Sequence, residues 1–392
     1  MITVQEALQQ IQKHCTSATI TTVKLKEAVN YYLAETVISE INMPPFNQSA
    51  MDGYALHLHS KIDYTIIDEV KAGDKHDPVI KKGEAVRIFT GAPVPKTANA
   101  VVMQEKTIVT NNKLTLTATI IENTCIRPLG EQIKKGETAL QKGTKLTPAA
   151  IGYLASLGIT NVMVYKKPSI AIVATGNELV APGKKLNYGE IYESNSVMLK
   201  TALQNIHYTN STTYKVIDDY QSTYTLLKKV IKNHDVVLIS GGISVGDYDF
   251  VGKALLEIGV TQIFYKVKQK PGKPLFFGKK GGTSVFALPG NPAAALSCFY
   301  VYVQTALQKI IGNTTQSNCL SETAIATTSF QKKGDRAQFL KAILQNGKVE
   351  ILEGQSSAMQ QTFALANALV YLPEEIKNIE IGDSVALIKL PI

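Results

Sequence analysis

Asp235-Val-Val-Leu-Ile-Ser-Gly-Gly242 decides the fold, because a short apolar run ends there in a glycine loop and a helical pattern follows. The same plan occurs at Ser169-Ile-Ala-Ile-Val-Ala-Thr-Gly176 and at Thr283-Ser-Val-Phe-Ala-Leu-Pro-Gly290. Apolar runs without alternation, separated by helices, are typical of strands buried on both faces, so the three units predict a parallel sheet in an α/β domain. Ligands of such sheets bind at the carboxyl ends of the strands, where all three loops lie. The helices are predicted at Asn195 to Gln204, Gln221 to Ile231, Val251 to Ile258 and Pro292 to Ile311.

Sequence patterns on either side of this unit predict further domains within the 392 residues. Thr3 and Glu6 form a capping box at the start of a helix, and Leu25 to Leu33 repeats the helical spacing. From Tyr54 to Ile126 the chain changes to short β-branched runs, and helical spacing returns at Thr147. We therefore expect a helical N-terminal domain (1–43 and 127–166), an inserted β-domain (44–126), the α/β domain (167–316) and a C-terminal β-domain (317–392).

Composition limits the partners and the location of the chain. Lysine and arginine number 41 against 32 acidic residues, and the net charge of +9 favours an anionic partner. A nucleic acid fits poorly, because the chain has no tryptophan and no recognised binding module. The uncharged stretch from Thr283 to Gln308 is long enough to span a bilayer, but Pro289-Gly290-Asn291-Pro292 divides it into a strand and a helix. With scattered cysteines and no secretory pattern at its start, the chain is expected to be cytoplasmic, without membrane or nucleic-acid partners.

The loop that follows the second strand combines glycines with carboxylates. Backbone N–H groups of Ser240, Gly241 and Gly242 can approach a phosphate closely, although a plain strand-to-helix turn has the same pattern. A bare phosphate site gains nothing from carboxylates, whereas a magnesium–phosphate site needs one or two of them. The candidate Mg²⁺ ligands are the acids that follow strands: Glu178, Asp218 and Asp249.

Positive charge gathers shortly before the third glycine loop. The segment from Lys266 to Lys280 holds six lysines and no acid, and Pro271-Gly272 makes it a rigid turn rather than a solvated tail. Lys270 and Lys273 are the predicted phosphate contacts. The loop Pro289-Gly290-Asn291-Pro292 ends at a helix N-terminus, which favours an anion, although a plain capped helix start fits it equally well.

Seven motifs occur in one chain in a fixed order: SAMDGYA, FTGAP, RPLGEQI, TGNEL, SGGISVGDYDF, KPGKP and LPGNP. In this set and order the chain resembles the molybdopterin molybdenumtransferase family, which includes the bacterial MoeA proteins and the E-domain of gephyrin. The resemblance implies a multidomain α/β fold with a molybdopterin-binding, adenylyltransferase-like sheet domain and a C-terminal β-barrel-like domain. It also implies Mg²⁺-dependent insertion of molybdenum from molybdate into adenylylated molybdopterin, with release of AMP. The enzyme would be a homodimer with its site between subunits, and a molybdopterin adenylyltransferase would be its functional partner.

The resemblance assigns site residues by motif. From the residues alone, the Asp-Gly pair at Asp52 is ordinarily a turn. The catalytic positions that the family implies are Asp52, Thr90, Glu178 and Asp249. The implied metal ligands are Glu178, Asp249 and Asp218, with the adjacent Asp219 as the alternative to Asp218. The implied substrate- and phosphate-binding positions are Ser240, Gly241, Gly242, Lys270, Lys273, Pro289, Gly290, Asn291, Pro292 and Arg336.

Two positions depart from the family pattern. Gln132 stands where the family usually has an acid, which predicts weakened or redistributed metal or molybdate binding. This loss leaves open a second function, a non-catalytic molybdopterin-binding or scaffold relative. Lys341 stands where an arginine is common, which predicts the loss of bidentate anion contacts.

Overall fold

The computed structural model describes residues 1–243, 250–313 and 320–391. Two short antiparallel pairs tie residues before the inserted β-domain to residues after it, since β1 pairs with β12 and β2 with β11. A third pair, β3 with β10, joins the two ends of the inserted domain. Strands β4 to β9 form a separate six-stranded sheet, so the inserted β-domain is confirmed. The elements of this region are α1 (Val4–His14), β1 (Ile20–Lys24), β2 (Val37–Ile38), β3 (Gln48–Ser49), β4 (Gly53–Leu56), β5 (Asp63–Val70), β6 (Glu84–Ile88), β7 (Ala100–Met103), β8 (Thr107–Thr110), β9 (Lys113–Leu116), β10 (Ile126–Arg127), β11 (Thr138–Leu140), α2 (Pro148–Ser156) and β12 (Asn161–Tyr165).

The N-terminal region is less helical than the sequence predicts. The capping box of Thr3 and Glu6 is present at the start of α1. The helix expected from Leu25 to Leu33 is wrong, because only one 3₁₀ turn forms at Leu25–Glu27. Asn30 has a left-handed φ of 63°, and its N–H donates to the carbonyl of Leu146 rather than within a helix. Long-range backbone bonds therefore override the local helical spacing here.

The central domain contains a six-stranded sheet in the order β16-β13-β17-β21-β20-β18. Its first four strands are parallel, as predicted, but β20 is antiparallel to β21, because the two strands form a tight hairpin across Gly281 and Gly282. Strand β18 is antiparallel to β20 and so runs in the same direction as the first four strands. A short π-helical segment, Phe299–Val303, joins α6 to α7. The elements are β13 (Ile170–Thr175), β14 (Leu179–Val180), β15 (Ile191–Tyr192), α3 (Asn195–Asn205), β16 (Ser211–Val216), α4 (Tyr220–Asn233), β17 (Val236–Ser240), α5 (Phe250–Ile258), β18 (Thr261–Tyr265), β19 (Gln269–Lys270), β20 (Phe276–Lys280), β21 (Thr283–Leu288), α6 (Pro292–Cys298) and α7 (Gln304–Ile310).

Buried apolar side chains cover both faces of this sheet. One core joins Ile172, Leu238 and Phe286 to α3, α6 and α7, and it includes the apolar face of α1. The other core packs alternate strand residues such as Val173 and Val237 against α4 and α5. Burial on both faces explains why these strands are continuously apolar in sequence. Within the described residues, no helix is both long and apolar enough to cross a membrane.

The C-terminal region is a closed β-barrel, as expected. Strand β24 pairs with β25, β25 with β22, β22 with β28, β28 with β26, and β26 again with β24. Strand β19 of the central domain adds to β24 in parallel, which fixes the barrel beside Lys270. The elements are β22 (Glu322–Ala326), β23 (Phe330–Gln331), β24 (Ala337–Gln345), β25 (Lys348–Ile351), α8 (Gln360–Leu365), β26 (Ala368–Leu372), β27 (Asn378–Ile379) and β28 (Ser384–Lys389).

Candidate active site

A cleft of about 660 Å³ opens at the carboxyl ends of β13, β17 and β21, between the central sheet and the barrel. This is the edge where a parallel sheet binds its ligands. The cleft brings together twelve of the predicted site residues: Glu178, Asp218, Ser240, Gly241, Gly242, Lys270, Lys273, Pro289, Gly290, Asn291, Pro292 and Arg336. Asp249, predicted as a catalytic and metal-binding residue, lies outside the described residues.

The glycine loop after β17 is packed so closely that side chains are excluded. A Cβ atom on Gly241 would lie 2.8 Å from the carbonyl oxygen of Thr175, and one on Gly242 would lie 2.6 Å from Cγ2 of Val251. Both glycines have left-handed φ angles, 92° and 65°. The Oγ1 atom of Thr175 is buried there without a hydrogen-bond partner among the described residues. The floor of the cleft therefore offers bare backbone and an unsatisfied hydroxyl, which suits a closely approaching polar ligand.

Asn195, the first residue of α3, links two of the glycine loops and was missed by sequence reasoning. Its Nδ2 donates to Oγ of Ser240 and to the carbonyl oxygen of Gly290, both at 2.7 Å. Its Oδ1 is buried and has no partner among the described residues. The only sequence signal was an asparagine at a helix start, which ordinarily indicates a cap.

The lysine turn is held in place by a buried glutamine. Nε2 of Gln269 donates to the carbonyl oxygens of Pro271 at 3.0 Å and Gly272 at 3.3 Å, and its Oε1 accepts from the hydroxyl of Tyr302. Arg336, from the start of the barrel, donates through Nη1 to the carbonyl oxygen of Gln269 at 3.2 Å. The Gln269 side chain thus fixes the turn between Lys270 and Lys273. Its backbone carbonyl holds Arg336, the third cation of the cleft, beside that turn. Three positive side chains on one cleft can neutralise a polyanion.

Two carboxylates face these cations across the cleft. Glu178 and Asp218 both line it, and Oδ1 of Asn177 accepts from the backbone N–H of Asp218 at 3.0 Å. Asp219 instead caps α4, where its carboxylate accepts from the N–H of Ser222 at 2.7 Å. This hydrogen bond lowers the pKa of Asp219. Asp218 is therefore the acid of the pair that reaches the cleft.

The donor set fits a magnesium ion that the substrate helps to bind. Among the described residues, no group of three His, Cys, Asp or Glu side chains is arranged to hold a metal. Mg²⁺ commonly takes one or two carboxylates and completes its shell with water and substrate phosphates. Glu178 and Asp218 supply those two carboxylates beside a phosphate-type site.

Asp52 and Thr90 lie together in the inserted β-domain and do not line this cleft. Oδ1 of Asp52 accepts from the backbone N–H of Thr90 at 2.7 Å and from its hydroxyl at 2.8 Å. These two hydrogen bonds are the main reason why the pKa of Asp52 is lowered. The two residues form a prepared carboxylate, one already held by two hydrogen bonds, outside the lining of the cleft of their own chain.

The two family departures also lie outside the cleft lining. Gln132 is exposed, and its N–H donates to the carbonyl oxygen of Met43. Lys341 is 4% exposed, and its ammonium donates to backbone carbonyls of the segment between β25 and α8. Its charge is enclosed by these carbonyls and does not line the cleft, and the loss of bidentate anion contacts stays a prediction.

The fold and the cleft define a multidomain α/β protein with a cation-lined cleft at a sheet edge that a barrel completes. Family models agree with each part: "MoeA N-terminal region (domain I and II)" matches residues 2–158, "Probable molybdopterin binding domain" matches 171–309, and "MoeA C-terminal region (domain IV)" matches 323–390. The chain belongs to the molybdopterin molybdenumtransferase (MoeA) family, a family of transferases in molybdenum cofactor biosynthesis.

Relatives match the chain along its whole length. The molybdopterin molybdenumtransferase of Haemophilus influenzae is 34% identical and aligns with 99% of this chain and 98% of its own. That of Staphylococcus epidermidis is 32% identical, over 99% and 95%. A crystal structure of the molybdopterin biosynthesis MoeA protein from Pyrococcus horikoshii superposes with a TM-score of 0.85 at 29% identity, covering 99% of this chain and all of that one. The multidomain α/β fold expected from the sequence is thereby confirmed.

Proposed function

We propose that this chain inserts molybdenum from molybdate into adenylylated molybdopterin and releases AMP. The observation that carries this is the convergence of Lys270, Lys273 and Arg336 with two carboxylates, Glu178 and Asp218, in one cleft. Adenylylated molybdopterin contains a pyrophosphate, and molybdate is an oxyanion, so both need positive partners. Cations placed where negative charge develops are a large source of transition-state stabilisation.

We assign the positively charged residues of the cleft to anion binding and its carboxylates to metal binding. The lysine turn and Arg336 bind and orient the anionic groups, while the bare backbone of Gly241 and Gly242 lets a phosphate approach the sheet edge. Glu178 and Asp218 would hold Mg²⁺, which acts as a Lewis acid on the phosphoanhydride when bound.

The position of Asp52 and Thr90 supports a shared site in a homodimer. Their prepared carboxylate is outside the cleft of its own chain, so we infer that it completes the cleft of a second copy. Mixing Asp52→Asn with Asp218→Asn protein tests this, since a mixed dimer holds one cleft with both changes and one with neither. With random exchange, we expect recovery of about a quarter of the wild-type activity. No recovery after verified subunit exchange would contradict the shared site.

The decisive experiment measures AMP release from adenylylated molybdopterin and Mg²⁺, with and without molybdate. Molybdate-dependent release is expected. The exposed Gln132 favours the alternative of a non-catalytic relative, and tight retention of the adenylylated pterin without release would establish that alternative. Absence of both retention and release would refute the proposed function. We place the protein in the cytosol, where a molybdopterin adenylyltransferase would supply its substrate.

A further inference from the structure

The ammonium group of Lys341 is buried on the outer face of the barrel, because its neighbours Leu340 and Ala342 on the same strand point into the barrel core. Lys341 is on β24, and its Nζ donates to the carbonyl oxygens of Gly354 at 2.7 Å, Ser356 at 3.2 Å and Met359 at 3.2 Å. Burial lowers its pKa, and no nearby charge contributes to that shift among the described residues. A buried charge is costly unless its donors are satisfied, and here three carbonyls satisfy them.

These three carbonyls belong to one short irregular segment, residues 354–359. The side chain of Gln355 closes the same segment, because it accepts from the N–H of Lys341 at 2.9 Å and donates to its carbonyl oxygen at 2.9 Å. All the polar atoms of Lys341, on backbone and side chain, thus bind this segment or its flanking strand. The segment forms no helix or strand and has only local turn bonds of its own, such as the one from the N–H of Met359 to the carbonyl oxygen of Ser356, so Lys341 supplies a large share of its hydrogen bonds.

The segment around Lys341 extends to the cleft. Oγ of Ser357 accepts from Nδ2 of Asn291 at 3.0 Å, and Ser357 lines the cleft. The next helix continues the contact, since Nε2 of Gln360 lies 3.5 Å from Oγ of Ser194 at the start of α3. The residues that reach the cleft, Ser357 and Gln360, are therefore direct neighbours of those that the buried ammonium binds.

We propose that Lys341 is a positioning residue of the active site, whose ammonium shapes residues 354–359 and so holds Ser357 against Asn291. Lys341 itself does not line the cleft, so it would act through this segment and not by contact with the substrate. The proposal rests on the proposed function for its kinetic consequence, while its structural consequence can be measured without turnover. Misplacing a site element by about 1 Å can cost about 100-fold in rate.

Lys332 offers a matched control within the same barrel. It is 6% exposed against 4% for Lys341, and among the described residues its Nζ also donates to backbone carbonyls alone, those of Pro373 and Glu374 at 2.6 and 2.7 Å. Neither carbonyl belongs to a residue that lines the cleft. Lys341→Met and Lys332→Met should both lower barrel stability. Only Lys341→Met is expected to increase amide exchange at both 354–360 and 289–292.

Kinetics and chemical rescue complete the test. We expect Lys341→Met to lower kcat/KM for AMP release about 10- to 100-fold, while Lys332→Met stays within about twofold of wild type. In Lys341→Ala, added propylammonium replaces the missing side-chain atoms and should restore both slow exchange and kcat/KM. Tetramethylammonium, which carries the charge but no N–H donor, should not.

The outcomes separate the two claims. Equal exchange and kinetics in the Lys341→Met and Lys332→Met proteins, or rescue by neither amine, would overturn the positioning role. A wild-type protein without AMP release would refute the proposed function alone. The exchange of 354–360 and 289–292 would then still decide whether Lys341 positions the segment.

Discussion

Replacing Gly272 by alanine should destabilise the central domain through a clash with one buried thiol. A Cβ atom at this position would lie 2.5 Å from Sγ of Cys298 and 3.0 Å from Nε2 of Gln269. The φ angle of Gly272 is 86°, in the left-handed region. Burial raises the pKa of Cys298 to about 12, so the thiol stays neutral, and its residue is fully buried.

The magnitude follows from two separable costs. A left-handed non-glycine residue costs roughly 1–2 kcal/mol, and overpacking of a core costs about 1–3 kcal/mol. Gly272→Ala should therefore lower the free energy of unfolding by about 2–5 kcal/mol. Gly259 is the matched control, since it has the same φ of 86° in the same domain. Its Cβ would meet only Nζ of Lys280, at 3.8 Å, so Gly259→Ala should show the backbone cost of about 1–2 kcal/mol alone.

Differential scanning calorimetry of the full chain provides the measurement, with the transition of the central domain followed in each variant. For a domain of this size, each kcal/mol shifts Tm by about 2–4 °C. Cys298→Ala removes the obstructing sulfur, so the double variant with Gly272→Ala should lose less than the two single variants added together. Equal shifts for Gly272→Ala and Gly259→Ala, or strict additivity with Cys298→Ala, would show that the clash is not the cause.

Three further predictions follow from the site and the caps. Asp218→Ala should reduce AMP release at least about tenfold with Tm unchanged, whereas Asp219→Ala, at the N-cap of α4, should lower Tm and leave release intact; the reverse pattern would exchange their roles. The lowered pKa of Asp52 means that its ionised form stabilises the fold above its unfolded-state pKa, and that this contribution disappears as pH falls through the folded-state pKa. Thr90→Val removes one of two donors, so carboxyl NMR should show that pKa rise towards its ordinary value; an unchanged value would contradict the hydrogen-bond cause. Thr3→Ala should cost about 1 kcal/mol by deleting the capping box of α1, measured by urea unfolding, and no change would mean that the cap is not needed.

Much of the architecture was predictable because local patterns agree with tertiary burial. The apolar strands with their glycine loops were predictable, since strands buried on both faces leave a continuous apolar signal. The direction of β20 was not predictable. Its hairpin with β21 depends on Gly281 and Gly282, and a Gly-Gly pair also occurs in turns of other kinds. The domain boundaries remain predictions from the sequence.

Within the site, residues in short local motifs were predictable, whereas contacts between residues far apart in the sequence were not. Glycines and lysines that stand in short sequence motifs, such as Lys270 and Gly241, line the cleft as the motifs predict, and their binding roles stay predictions. Asn195 was not found, because its partner Ser240 is 45 residues away and a lone asparagine carries no pattern. The surroundings of Lys341 were not predictable either, because the carbonyls around its ammonium belong to residues 13 to 18 positions further along the chain. Contacts between residues that are distant in the sequence leave little trace in the local sequence pattern.

The pairing of β3 with β10 brings the two ends of the inserted domain together, so this domain projects from the rest of the fold like a side branch. Ser49 lies directly opposite Ile126 across this ladder, so the chain leaves and returns at nearly the same point. A short loop joining these two strands would bypass the six-stranded sheet while leaving the surrounding backbone in place. The carboxylate of Asp52 travels with that branch, only three residues beyond the junction. The fold thus carries the carboxylate that we propose for a shared site on a module that can be exchanged as a unit, independently of the cleft.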